Sequence, residues 1–164
     1  MSLTWIDILL AVMILGWVIV EIRRDFGRAL FDTLAALVSL QLALLVSPAA
    51  APLFSFAGPE NVRLGWALAV LFVLFGAITL FVAKIVHEAT QWSMDSFDPV
   101  FGCLFGLTAG VTMAHVAVKV LALIYTTPHG LPPFLADSGL GEELLTFRTY
   151  HRVADFLTGF RDHT

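Results

Sequence analysis

Only a few residues have types and spacings suited to chemistry. Segment 87–91, His-Glu-Ala-Thr-Gln, begins like the His-Glu-x-x-His helix of zinc proteases, in which two histidines bind the metal. Glutamine stands in place of the second histidine, so one metal ligand is missing. The sequence has no P-loop, no Cys-x-x-Cys pair and no Gly-x-Ser-x-Gly turn, and Cys103 is its single cysteine. We therefore expect no catalytic residue, no metal and no cofactor, and a protein that is not an enzyme.

Polar residues inside long apolar runs are the remaining candidates for function. They are Asp7, Gln41, Thr108, Thr112, His115 and Lys119. A charge at the centre of a spanning helix costs about 2.5–3.5 kcal/mol on insertion scales, so such residues usually face protein or water. The last four fall on one arc of a helix, about 60° wide, which we call the polar stripe. It predicts either a proton or solute pathway or, as the favoured interpretation, interhelical hydrogen bonds with a lysine that reaches the interface. We expect Gln41 to join helices in the same way.

Small residues recur every fourth position in two of the apolar runs. The glycine ladder is Gly102, Gly106, Gly110 and Ala114, on the side of its helix opposite the polar stripe. The alanine–serine ladder is Ala35, Ser39, Ala43 and Ser47. Lipid gives helices no hydrophobic reason to associate, so close backbone packing at small residues must supply it. We expect the two ladders to pack against each other, with a second copy of the glycine helix as the alternative partner.

Composition and hydropathy predict the elements that hold these residues. The chain has 164 residues, of which 59% are hydrophobic and 13% charged, with a net charge of −4. Such a composition is typical of a membrane protein and offers no basic surface for nucleic acid. Apolar runs at about 3–20, 29–46, 64–86 and 98–125 are long enough to span a bilayer. The fold prediction is an all-α membrane protein with four transmembrane helices (residues 1–125), followed by an extracytoplasmic loop and a C-terminal amphipathic helix (126–164).

The C-terminal helix is predicted from an amphipathic pattern at residues 145–160, where apolar side chains fill one side. Asp137 or Ser138 can cap a helix that begins before it. The pattern is too polar to span a membrane. It fits equally a helix lying on the outer membrane surface and a helix docked on other protein.

Arginine and lysine near the helix ends predict the orientation. Arg23, Arg24 and Arg28 lie in the first connection and Lys84 begins the third, whereas the second connection holds only Arg63. The positive-inside bias therefore places the first and third connections in the cytoplasm and both termini outside. The first run has no preceding basic residue and no cleavage site after it, so we expect a retained span.

The same topology brings Asp7 and Lys119 to a similar depth near the outer boundary. We therefore expect them to form an ion pair, because pairing lowers the cost of holding each charge in a poorly solvated region.

Three short motifs resemble the colicin V production protein family. They are Trp5-x-Asp7, the Arg-x-Phe-x-Arg turn at 24–28, and Asp-x-x-x-Gly-x-x-Phe-Gly-x-x-x-Gly at 98–110. The resemblance covers about residues 4–125. Family members commonly have Gly, Arg and Arg where this chain has Asp25, Pro99 and Ala109. The resemblance implies a four-helix bacterial inner-membrane protein linked to toxin production and envelope maintenance, without an established reaction.

Two function classes remain. The preferred class is a non-enzymatic module in the lipid bilayer of the inner (cytoplasmic) membrane that packs with itself, as a homo-oligomer, or with an envelope protein. The alternative is a channel or transporter component that uses the polar stripe. Four short spans leave one copy little room for a pathway, and no pair of interrupted helices is visible in the sequence.

Overall fold

The chain folds into a bundle of long helices. A computed structural model describes residues 4–127 and 130–147, and all regular secondary structure in these ranges is helical. The helices are α1 (Trp5–Ile22), α2 (Phe26–Ala50), α3 (Glu60–Thr90), α4 (Asp98–Tyr125), α5 (Pro133–Ala136) and α6 (Gly139–Thr146), with 3-10 helices at Ala51–Ala57 and Asp95–Phe97. Helices α1 to α4 are long and apolar enough to cross a membrane. The predicted all-α membrane fold with four spanning helices is confirmed.

Helix α2 is longer than predicted and runs through a proline. The expected connection begins at residue 47, but the helix continues through Pro48 to Ala50 and then tightens into the 3-10 helix at Ala51–Ala57. Proline has no N–H to donate to the carbonyl four residues earlier. The Ser47 hydroxyl donates to that carbonyl, of Leu44, at 3.4 Å instead. The carbonyl that loses its backbone donor to the proline therefore still has a hydrogen-bond partner.

Helices that follow one another in the chain run antiparallel, and hydrogen bonds join helices at both ends of the bundle. The Phe26 amide at the start of α2 donates to the Asp98 carboxylate at the start of α4 (3.1 Å). At the opposite end, the Asn61 side chain at the start of α3 donates to the Leu123 carbonyl near the end of α4 (3.0 Å). The first and third connections therefore share one end of the bundle, as the predicted topology requires.

Large apolar side chains cover the outside of the bundle. Helix α3 is the least covered, because only 6% of its most apolar stretch is buried within the protein. Val73 and Phe81 on this helix are 71% and 64% exposed. In a multi-pass membrane protein this surface faces lipid, where exposed side chains need no burial against other protein.

The residues after α4 add two short helices to the same core. Leu135 of α5 and Leu144 of α6 are buried with Ile6 and Leu10 of α1. The Ser138 side chain caps α6, as predicted, by accepting from the Gly141 amide at 2.8 Å.

Helix α6 ends at Thr146. Phe147 follows with a φ of 46°, in the left-handed region, which does not continue a right-handed helix. A continuous helix from Leu145 onward, as predicted, is therefore interrupted at Phe147. The rest of that prediction, residues 148–160, lies outside the described residues.

Candidate functional site

The glycine ladder packs against α1, not against α2. A Cβ placed on Gly106 would lie 2.7 Å from the Val18 Cα, and one on Gly110 would lie 2.9 Å from the Ile14 Cα. Gly102 faces the backbone of Glu21 in the same way, and Ala114 is fully buried beside α1. Any side chain larger than hydrogen would push the two backbones apart. The prediction that small residues pack closely holds, but the predicted partner was wrong.

The alanine–serine ladder packs against α3 instead. Ala35, Ser39 and Ala43 are all buried. The Ser39 Oγ lies 2.7 Å from the Thr79 Oγ1 of α3, and both hydroxyl oxygens lie within hydrogen-bonding distance of the Ala35 carbonyl. Helix α3 therefore covers this ladder within the chain. For that reason the ladder does not pack against the glycines of α4.

Helices α2 and α4 are joined by a residue that the sequence analysis did not select. The Thr33 hydroxyl donates to the Phe105 carbonyl at 3.0 Å. The only sequence feature that pointed to Thr33 was a hydroxyl near the start of an apolar run. Such a hydroxyl often bonds to a carbonyl of its own helix.

The polar stripe does not join helices through its threonines. The Thr108 and Thr112 hydroxyls donate to carbonyls of their own helix, those of Leu104 (3.0 Å) and Thr108 (2.8 Å). A hydroxyl can satisfy itself in this way one turn back. The interhelical bonds predicted for these threonines are therefore wrong. His115 does bond to another element, because its Nδ1 lies 2.7 Å from the Leu144 carbonyl of α6.

An open groove between α2 and α4 gathers most of the predicted polar residues. Its volume is about 520 Å³. The lining includes Gln41, Thr108, Thr112, His115 and Phe147, between leucine and valine side chains. Lys119 is half-buried and lies outside this lining. Polar side chains therefore form a strip within an otherwise apolar groove. Gln41 is exposed in this groove and does not bond to another of the described helices.

Asp7 binds the segment between α5 and α6 rather than Lys119. Its Oδ1 accepts from the Ser138 hydroxyl (2.5 Å) and from the Leu140 amide (2.9 Å). Its Oδ2 accepts from the Thr4 amide (2.9 Å) and hydroxyl (2.7 Å). Four donors satisfy the carboxylate, and no ion pair joins it to Lys119. The predicted ion pair was therefore wrong, and the reason is that nearby hydroxyl and amide groups already solvate the charge.

A cluster of four charges lies at the other end of α1. Glu21 Oε1 accepts from Arg24 Nη1 at 2.9 Å, and the same nitrogen contacts Asp32 Oδ2. Arg28 Nε donates to Asp32 Oδ2 at 3.0 Å. Sequence reasoning used the arginines for topology and for the family resemblance, not for ion pairs. The spacing of three and four residues along a helix between Glu21 and Arg24, and between Arg28 and Asp32, was the available signal.

The zinc-protease-like segment shows no metal arrangement. Within residues 4–127 and 130–147, no three His, Cys, Asp or Glu side chains are placed to share a metal ion. Glu88 forms an exposed ion pair with Lys84 at 3.7 Å.

Comparison with known proteins identifies the family. A family model described as colicin V production protein matches residues 6–160. The chain belongs to the colicin V production protein family. No curated protein and no solved structure matches it.

Two of the three motifs that resemble the colicin V production family meet in the structure. Asp98 of the third motif accepts hydrogen bonds from the amide of Phe26, in the arginine turn, and from the amide of Met94 (2.7 Å). The Phe26 ring packs edge-on against Phe101, with 5.1 Å between the ring centroids. The motifs are thus one structural unit that fastens the first and third connections together. The departure at Pro99 fits this unit, since Pro99 lies in the first turn of α4, where a missing N–H costs nothing.

Proposed function

We propose that this chain is a non-enzymatic membrane protein of toxin production, toxin export or envelope maintenance. Family membership supports the toxin-related role. The observation that carries the non-enzymatic part is the use of the polar side chains: Asp7, Thr33 and Asp98 bond to backbone or hydroxyl groups that hold helices and connections in place. These groups are committed to structure rather than presented to a substrate. The arginine-rich first connection supports the inner membrane, with that end in the cytoplasm.

The partner surface proposed here is the groove between α2 and α4. Both small-residue ladders are covered within the chain, so a second copy or an envelope protein has to bind elsewhere. The groove offers polar groups inside an apolar wall, which suits a partner helix with a hydrogen-bonding residue.

Photo-crosslinking in the producing cell tests this proposal. A photoreactive residue at Gln41, in the groove, should give a discrete protein adduct that mass spectrometry identifies. The matched control is Val73, which is 71% exposed on α3 and should give no discrete protein adduct. Equal adduct patterns from the two positions, or none from Gln41, would refute the groove as the partner surface.

A channel or transporter component is the second candidate. The observation that favours it is that Thr108, Thr112 and His115 line one continuous groove. The test is a flux assay with the purified chain in liposomes. A pathway predicts solute or proton flux that Thr112→Val reduces at least several-fold and Leu104→Ile does not. Liposomes that stay tight with the wild-type protein would exclude this candidate.

A further inference from the structure

Two acidic side chains from different helices are buried side by side near one end of the bundle. Glu21 of α1 is fully buried, and Asp32 of α2 is only 2% exposed. Both carboxylates contact the same atom, Arg24 Nη1, so Glu21 Oε1 and Asp32 Oδ2 lie close together. The glycine ladder covers Glu21, because Gly102 faces its backbone and Gly106 faces its Cβ. The packing of α4 thus encloses the pair.

Each of these carboxylates has one oxygen without a hydrogen-bond donor. Among the described residues, Glu21 Oε2 and Asp32 Oδ1 are buried and have no partner. In a buried, ionised carboxylate, an oxygen that is left unpaired has lost its hydration and has no hydrogen bond to replace it. The arginines satisfy only the other oxygen of each group. Full ionisation of both acids therefore leaves two uncompensated acceptors in the interior.

We propose that Glu21 and Asp32 form a proton-binding site that holds one proton between them. The proton, taken from water, forms an O–H bond on one of the two unpaired oxygens, and that O–H donates to the unpaired oxygen of the other acid. One proton thereby converts two unpaired acceptors into a donor and its acceptor. Arg24 and Arg28 stabilise the single remaining negative charge. Two carboxylates that share a site and one proton are an established arrangement in proteins.

Charged and titratable groups of three neighbouring elements lie at this end of the bundle. From α2 and its N-terminal connection, Arg24 and Arg28 face it; Asp98 of α4 is bonded to the Phe26 amide; and on α3 Lys84 and Glu88 pair with each other in an exposed position. His87 of α3 lies against Gly27, on the same end of the bundle.

The site lies between the arginine-covered surface and a cavity. The Arg24 and Arg28 side chains are 34% and 23% exposed, so the pair is one side chain away from the surface at this end. On the inner side, Asp32 lines a cavity of about 220 Å³ between α2 and α3, together with Ser39 and Gly76. The proton site therefore lies between the arginine-rich end and the interior of the bundle.

Infrared difference spectroscopy of the purified full chain, titrated between about pH 5 and pH 9, tests this inference. A shared proton predicts a protonated-carboxyl C=O band that appears on acidification and shifts in deuterated water. Glu21→Gln and Asp32→Asn should each remove or shift this band. Glu88→Gln and Asp25→Asn, which alter exposed acids, should leave it unchanged.

The competing arrangement is a fully ionised network of two acids and two arginines. It predicts no such band over this range, and that result would overturn the proposal. The proposal is also overturned if one of the variants Glu21→Gln and Asp32→Asn removes the band and the other leaves it unshifted. That result would mean that a single acid, rather than the pair, binds the proton. If one variant fails to fold, the number of protons taken up over the same pH range is compared between wild type and the variant that folds. Wild type should take up one proton more.

Discussion

At the residue scale, Asp7 shows how a polar group inside a membrane helix can be recognised before its partner is known. A carboxylate in an apolar run must be solvated by something, and the sequence alone supports that much. Two of its four donors, in Ser138 and Leu140, are more than 130 residues away along the chain, in a short segment without a distinctive pattern. The predicted partner, Lys119, was chosen by depth in the membrane. Depth does not fix the direction of a side chain around its helix.

A double-mutant cycle on Asp7 and Ser138 tests the observed contact. Asp7→Asn and Ser138→Ala should each lower the free energy of unfolding by about 1.5–3 kcal/mol, the usual cost of losing a hydrogen bond to a charged group. The double mutant should lose less than the sum, because the two residues share one bond. Thermal unfolding in detergent measures this.

The control cycle pairs Asp7→Asn with Lys119→Gln, and its losses should add. Coupling between Asp7 and Lys119, with none between Asp7 and Ser138, would restore the ion pair that the structure does not contain.

At the element scale, the four spans could be predicted from apolar run length, whereas the helix pairs could not. Any face lined by small residues can approach any other such face, so the ladders did not identify their partners. Gly106 meets Val18 and Ser39 meets Thr79, and neither Val18 nor Thr79 belongs to a ladder. The contacts depend on the bundle arrangement as a whole. The polar residues of the groove were predicted, but their bonding within one helix was not.

Substitution in the glycine ladder should separate α1 from α4. Gly106→Ile places side-chain atoms where the Val18 backbone lies, and we expect a loss of at least about 2 kcal/mol, since overpacking a backbone contact cannot be relieved by a side-chain rotation. The matched control is Leu107→Ile, on the neighbouring outward-facing position, which is 48% exposed. Equal thermal stability of the two variants in detergent would contradict the close approach.

Disulfide trapping tests the pairing of α2 with α3. Ser39→Cys combined with Thr79→Cys, in a Cys103→Ala background, should crosslink within one chain, because the native hydroxyl oxygens are 2.7 Å apart. Ser39→Cys combined with Gly106→Cys should not, since the structure places these residues on different helix pairs. Gel mobility under non-reducing conditions reports both results. A crosslink only in the second pair would contradict this structure. It would support the packing of the two ladders against each other that the sequence analysis predicted.

At the scale of the whole molecule, the first and third connections lie at the same end of the bundle, joined through Phe26 and Asp98. The arginines of the first connection predict that this end is cytoplasmic. A reporter that is active only in the cytoplasm should therefore be silent when fused after Thr164. The same reporter inserted within residues 92–94 should be active, which makes it the matched control. Activity of the fusion after Thr164 would reverse the orientation.

The cover that Gly102 and Gly106 provide over Glu21 also has a consequence for biosynthesis. Helix α1 leaves the ribosome about 80 residues before Gly102, the first residue of the glycine ladder, as the numbering shows. During that interval the face of α1 around Glu21 lacks the surface that will enclose it. A buried acid cannot be left in hydrocarbon without cost, so the charged end of α1 has to wait at the membrane surface or beside the insertion machinery. The packing around α1, the first helix to be made, is therefore completed only when α4 is inserted.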